Sequence, residues 1–129
     1  MEEALIKRVL PHSIEAEQAV IGAMLMDKEA ILTSSEIISG EDFYQSAYGI
    51  LFETIVELFN EGKPVDLITL QNRLREKDVP AEVSSLEFAR DLLSAVQTSA
   101  NVKYYAEIVS EKAMLRRLIK LNEEIANIC

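Results

Sequence analysis

A single cysteine, a single histidine and no tryptophan leave this chain of 129 residues short of reactive side chains. Cys129 has no partner for an internal disulfide, so the fold must rest on its own core, and a reducing, cytoplasmic setting is expected. His12 has no second histidine or cysteine at ligand spacing, which removes a zinc site, and the Glu-x-x-His pairs of a di-metal carboxylate bundle are missing too. His12 and Glu15 read as solvated residues at a helix start rather than as an acid–base pair. Gly62-Lys63 does not end a phosphate loop, because Glu57 stands where the first glycine is needed and Pro64 where a Ser or Thr should hold magnesium. With no Gly-x-Ser-x-Gly or Cys/His arrangement for acyl transfer either, no catalytic residue, cofactor or metal is expected in this segment.

Positive charge is also scarce. Thirteen Lys and Arg stand against 22 Asp and Glu, a net charge of −9, and nucleic acid affinity comes largely from cations that displace counterions. Direct nucleic acid binding is therefore not expected, whereas a basic protein partner is compatible with such a surface. No apolar run reaches the ~18–20 residues of a membrane span, and Met1-Glu2-Glu3 lacks the positive start of a secretory signal. A domain of this length hides roughly 65–70% of the surface its unfolded chain exposes, enough for a core without staples.

What the chain does have is apolar spacing of three and four residues between short breaks, so it reads as all-α throughout. Ser13 is placed to cap a helix running to about Met26, with Glu15 and Glu17 in the first turn and Ala19, Gly22 and Ala23 small enough for close packing. Asp27 can cap a second helix through Ile37, which Ser39-Gly40 breaks. Ser46 to Asn60 should be the central core helix. Gly62 and Pro64 end it, and Asp66 can cap the next helix, which carries Leu67, Leu70 and Leu74 on one side up to Lys77. Ser84-x-x-Glu87 has the spacing of a capping box ahead of the face made by Phe88, Ala89, Leu92 and Val96.

The last helix should start near Ser99 to Asn101 and run to the terminus. Met114, Leu118, Leu121, Ile125 and Ile128 follow the 4-3-4-3 rhythm of a helix-pairing seam. The whole apolar arc covers about half the cylinder, wider than the ~100° stripe of an ordinary surface helix, so part of it should need cover from outside the domain. Arg116 and Arg117 diverge by ~100°, so one can face a partner's carboxylates while the other stays in water. No glycine or proline stops the helix, and Ile128 and Cys129 continue the apolar rows; an element cut within a longer helical unit is expected. The chain thus divides into a leader (1–12), a globular head (13–98) and a long helix (99–129), a compact bundle of about five to six helices with one arm.

The string Pro11-His12-Ser13-Ile14-Glu15-Ala16-Glu17-Gln18-Ala19-Val20-Ile21-Gly22 resembles the opening of the N-terminal domain of bacterial DnaB-type replicative helicases. Asp42-Phe43-Tyr44, Gly62-Lys63-Pro64-Val65-Asp66-Leu67-Ile68-Thr69-Leu70 and Ala100-Asn101-Val102-Lys103-Tyr104-Tyr105-Ala106 agree with it in order and spacing, as do Ile108-Val109 and Glu111-Lys112. The departures are Tyr48-Gly49, where the family commonly has His and a basic or polar residue, and Ser84-Ser85 in place of Gly-Gly.

That resemblance implies a small helical bundle followed by a helical hairpin, of which the last helix would be the first arm. It implies pairing with other helicase subunits into a collar built as a trimer of dimers, and binding of the C-terminal domain of a DnaG-type primase. A helicase loader is a further partner that the resemblance admits. ATP, magnesium and unwinding activity would belong to a separate motor domain. Carried onto this sequence, Leu115, Arg116, Leu118, Ile119, Leu121 and Ile125 become candidates for pairing and primase contact. Glu15 and Phe88 become candidates on the head, although an aromatic at helical spacing such as Phe88 also suits the core. A self-associating helical scaffold without a primase role stays open.

Overall fold

A computed structural model describes residues 9–94 and 98–128 of the chain. Four of the helices start where a side chain takes an orphan N–H. Ser13 is extended and its hydroxyl accepts from the Ala16 N–H at 3.2 Å, opening α1 (Ile14–Met26). Asp27 both ends α1 and opens α2 (Lys28–Ile37): its N–H donates to the Ala23 carbonyl and its carboxylate accepts from the Glu29 N–H at 3.0 Å. A short 3-10 turn, Gly40–Asp42, follows, tied by the Ser39 N–H donating to the Asp42 carboxylate at 2.9 Å.

Helix α3 (Ser46–Asn60) closes with a Schellman motif, in which Lys63 N–H donates to Leu58 O and Gly62 N–H to Phe59 O. Gly62 has φ +75°, which explains why a glycine is needed there. Asp66 caps α4 (Leu67–Glu76) through the Thr69 N–H at 2.8 Å. At α5 (Leu86–Ser94) the expected capping register is one residue off. The Ser85 hydroxyl accepts from Phe88 N–H, while the Ser84 hydroxyl donates to the Ala81 carbonyl. Val96 of the expected apolar face lies outside the described residues. The last helix, α6, runs from Val102 to Ile128, and its 27 residues span about 40 Å.

The core lies where α1 meets α2, α3, α5 and α6. Helix α3, expected at the centre, shares that place with α1, because Ala16, Gly22 and Ala23 are buried and let neighbours close on several sides of α1. Val20, Ile21, Leu51 and Ile55 are fully sealed. The 3-10 turn presses on α3 so closely that a Cβ on Gly49 would sit 2.5 Å from the Gly40 carbonyl oxygen. A glycine in the first turn of α3 is therefore required by contact here. Val102, Ala106, Val109 and Ala113 of α6 complete the core, so the head is closed by the first half of the last helix. No helix among the described residues is long and apolar enough to cross a membrane.

Candidate functional site

The two halves of α6 present different faces. At about 100° per residue, Val102, Ala106, Val109 and Ala113 form one line against α1 and α2, and Met114, Leu118, Leu121, Ile125 and Ile128 form another turned about 110° from it. The second line is not used by the head. Met114, Leu118, Leu121 and Ile125 are 51–54% exposed and Ile128 is 83% exposed. Leu115 beside them is exposed, Ile119 is half-buried, and every described residue from Lys120 onward is exposed. A row of large aliphatic side chains in water is the feature that marks protein-binding surfaces.

The root of this free half is held by charge-assisted bonds rather than by packing. Arg116 donates from Nη1 to the Pro11 carbonyl at 2.8 Å and from Nη2 to the Asp42 carbonyl at 2.6 Å. Its guanidinium also lies 5.7 Å from the centre of the Tyr44 ring. Arg117 donates to the Asp42 carboxylate at 2.9 Å. Both arginines expected to divide between a partner and water are engaged within the chain, because the turn at Asp42 lies directly under the helix. Pro11 and the Asp42-Phe43-Tyr44 corner, far apart in sequence, converge on this point.

His12 is likewise not a simple solvated residue. Its ring stacks on Tyr44 at 3.9 Å between centroids, and its Nδ1 lies 2.7 Å from the Leu10 carbonyl oxygen. Glu15 is exposed in the first turn of α1, as expected of a residue that favours a helix start. Phe88 is half-buried against the core and stacks on Tyr48 at 5.9 Å, on α5, which packs on α1 and α4. The Tyr48 hydroxyl accepts from Gln18 Nε2 at 2.9 Å, so the Tyr48 departure from the family pattern supplies a polar contact to α1.

Sequence reasoning placed Glu17 only as a first-turn carboxylate, yet it is 1% exposed. Its two oxygens accept the N–H groups of Tyr44 at 2.8 Å and Gln45 at 3.1 Å, just ahead of α3. The signal was present, since Glu17 falls three residues after Ile14 and four before Ile21, on their apolar face.

A second polar cluster ties α3 to α4. Arg73 bridges Glu57 and Glu61 at 2.7 Å each, and Lys77 reaches Glu57 at 3.1 Å. The bonds from Arg73 hold the Glu61 carboxyl down at about 2 and keep that of Glu57 below the usual range, with Lys77 assisting at Glu57. An open groove of about 730 Å³ lies between the 3-10 turn, α3 and the segment after α4. One of its carboxylates, Glu53, is already committed to the Gly40 N–H. Among the described residues no three His, Cys, Asp or Glu side chains gather as a metal site.

Fold and site together define an all-α domain whose prominent open feature is an apolar helix anchored at its root by arginines. The family described as DnaB-like helicase N terminal domain matches residues 9–111. Over 126 residues the chain is 43% identical to the replicative DNA helicase DnaB of Geobacillus stearothermophilus, covering 98% of this chain and 28% of that relative. The crystal structure of the N-terminal domain of DnaB helicase from Mycobacterium tuberculosis superposes with a TM-score of 0.88 at 34% identity, over 92% of this chain and 86% of that one. The N-terminal domain of DnaB helicase from Helicobacter pylori, described together with its interactions with primase, superposes with a TM-score of 0.74 over 88% of each chain. At 21% identity that likeness shows the fold. The chain belongs to the family of DnaB-like helicase N-terminal domains, and it spans about 28% of the length of the curated relative it matches.

Proposed function

We propose that this chain is the interaction domain of a replicative DNA helicase, pairing subunits into a collar and receiving the C-terminal domain of a DnaG-type primase during DNA replication in the cytoplasm. The observation that carries the reading is the exposed row Met114, Leu118, Leu121 and Ile125, which the head leaves uncovered. Leu115, Leu118, Ile119, Leu121 and Ile125 supply the apolar contact area, and the charged residues between them set orientation and encounter rate. Glu15 and Phe88 are the candidate contacts on the head. Support for the primase role comes from the description of the Helicobacter pylori domain. Unwinding, with its ATP and magnesium, belongs on this reading to other parts of the helicase, and a loader is a further candidate for the same assembly.

Titrating the chain with the C-terminal domain of its cognate primase tests the reading: saturable association is expected. No association, where the intact helicase does associate, would remove the recruitment role. A dimer that forms at every concentration in sedimentation and ignores primase would favour the second reading, a self-associating scaffold, which the 4-3-4-3 row also suits.

A further inference from the structure

We infer that Arg116 is the positioning residue that fixes the angle at which the free half of α6 leaves the head. Core packing of α6 ends at Ala113, and among the described residues beyond it only Arg116 and Ile119 are even partly sheltered. The packed first half of this continuous helix sets its general direction, and the fork of Arg116 adds a second fixed point by gripping two separate segments. One tooth takes the Pro11 carbonyl at the start of α1 and the other takes the Asp42 carbonyl at the 3-10 turn. Two bonds from one planar group to two backbone segments define a direction, which a single bond or a flexible ammonium does not.

The receiving ends are themselves fixed. Asp42 is held by the Ser39 N–H on its carboxylate, and the next residues along, Tyr44 and Gln45, are held by the buried Glu17. The Tyr44 ring stacks on His12 and has the Arg116 guanidinium over it. The grip therefore passes from α6 through the 3-10 turn into α1 without a flexible link. Arg117 adds only an exposed ion pair, its own side chain being 62% exposed, and such pairs do little to hold geometry. The consequence for binding, a row presented in one preset orientation, rests on the function proposed above; the angle itself does not.

Pulsed electron–electron distance measurements test it without any partner. The chain carries Cys129→Ser and spin labels at Glu36→Cys on α2 and Glu123→Cys on α6, and it is diluted with unlabelled chain so that pairing between copies does not contribute. The original Arg116 gives a narrow distance distribution. Arg116→Met keeps the apolar stem but no donors, and it should roughly double the width at temperatures where the head is still folded, a loosening of one element and not of the whole. Arg116→Lys should fall between the two, and Arg117→Met should match the original. A distribution for Arg116→Met as narrow as the original would overturn the proposal. If Arg116→Met does not fold, Arg116→Lys decides: a broadened distribution supports the proposal and an unchanged one overturns it. Loss of primase binding by Arg116→Met with an unchanged distribution would make the arginine a direct contact, which overturns this proposal and leaves the partner reading of the row standing.

Discussion

Replacing Glu17 by glutamine keeps size and burial but removes one of two charge-assisted bonds, and it should destabilise the head by about 1.5–3 kcal/mol. The carboxylate is 1% exposed and accepts the Tyr44 and Gln45 N–H groups with one oxygen each. Glutamine offers a single acceptor, and its NH2 would then face an N–H, donor against donor. An opposing effect has to be weighed, because neutralising a buried charge relieves its desolvation. Here that relief is small, since the carboxylate sits at the N-terminus of α3, where the helix dipole favours negative charge, and Gln45 provides no side-chain cap of its own. Glu17→Ala also opens a cavity and orphans both donors, for a larger loss of about 3–5 kcal/mol. Urea unfolding reads the result as a lower midpoint at constant slope, and thermal unfolding as a fall of roughly 5–12 °C for the glutamine variant. A glutamine variant within about 0.5 kcal/mol of the original would refute the reasoning, because surface substitutions alone reach that size.

Other expectations rest on different parts of the structure. Gly49→Ala would place its Cβ 2.5 Å from the Gly40 carbonyl; the shift this forces should cost about 1–3 kcal/mol, read as a lower urea midpoint. The Arg73 cluster should make stability acid-sensitive. The Glu61 carboxyl is held at about 2 against an ordinary 4.5, so its contribution is present above about pH 4.5 and is lost as pH falls towards 2. Arg73→Met should flatten the dependence of the urea midpoint over that window, and an unchanged acid profile would speak against the cluster. On the partner surface, Ile119→Ala or Ile125→Ala should weaken primase association by about 1–2 kcal/mol in calorimetric titration if either is a buried anchor. Unchanged affinity for both would point to another face.

Helix boundaries were legible wherever a local signal set them. Ser13, Asp27, Asp66 and Gly62 each act through groups within four residues, and all four cap as the sequence suggests. Ser84 against Ser85 shows the limit of such signals, since two adjacent hydroxyls offer the same chemistry and only the backbone path selects between them. The exposed row on α6 was legible as excess, an apolar arc too wide for one core. What escaped was every role created by long-range approach. Glu17 looks like a first-turn acid until α3 arrives above it, Gly49 like an ordinary helix position until the 3-10 turn touches it, and Arg116 like a surface charge until Pro11 and Asp42 present their carbonyls. A carbonyl acceptor carries no mark in a sequence, so bonds from side chain to distant backbone are the hardest to foresee.

Amide hydrogen exchange across α6, with and without saturating primase C-terminal domain, tests the central claim most directly. The free half of the helix has few tertiary contacts, so its amides should exchange early in the isolated chain. Strong slowing across residues 114–128 on addition of the primase domain is the predicted result. Slowing confined to the head, with the α6 amides exchanging as before under saturation, would contradict the account.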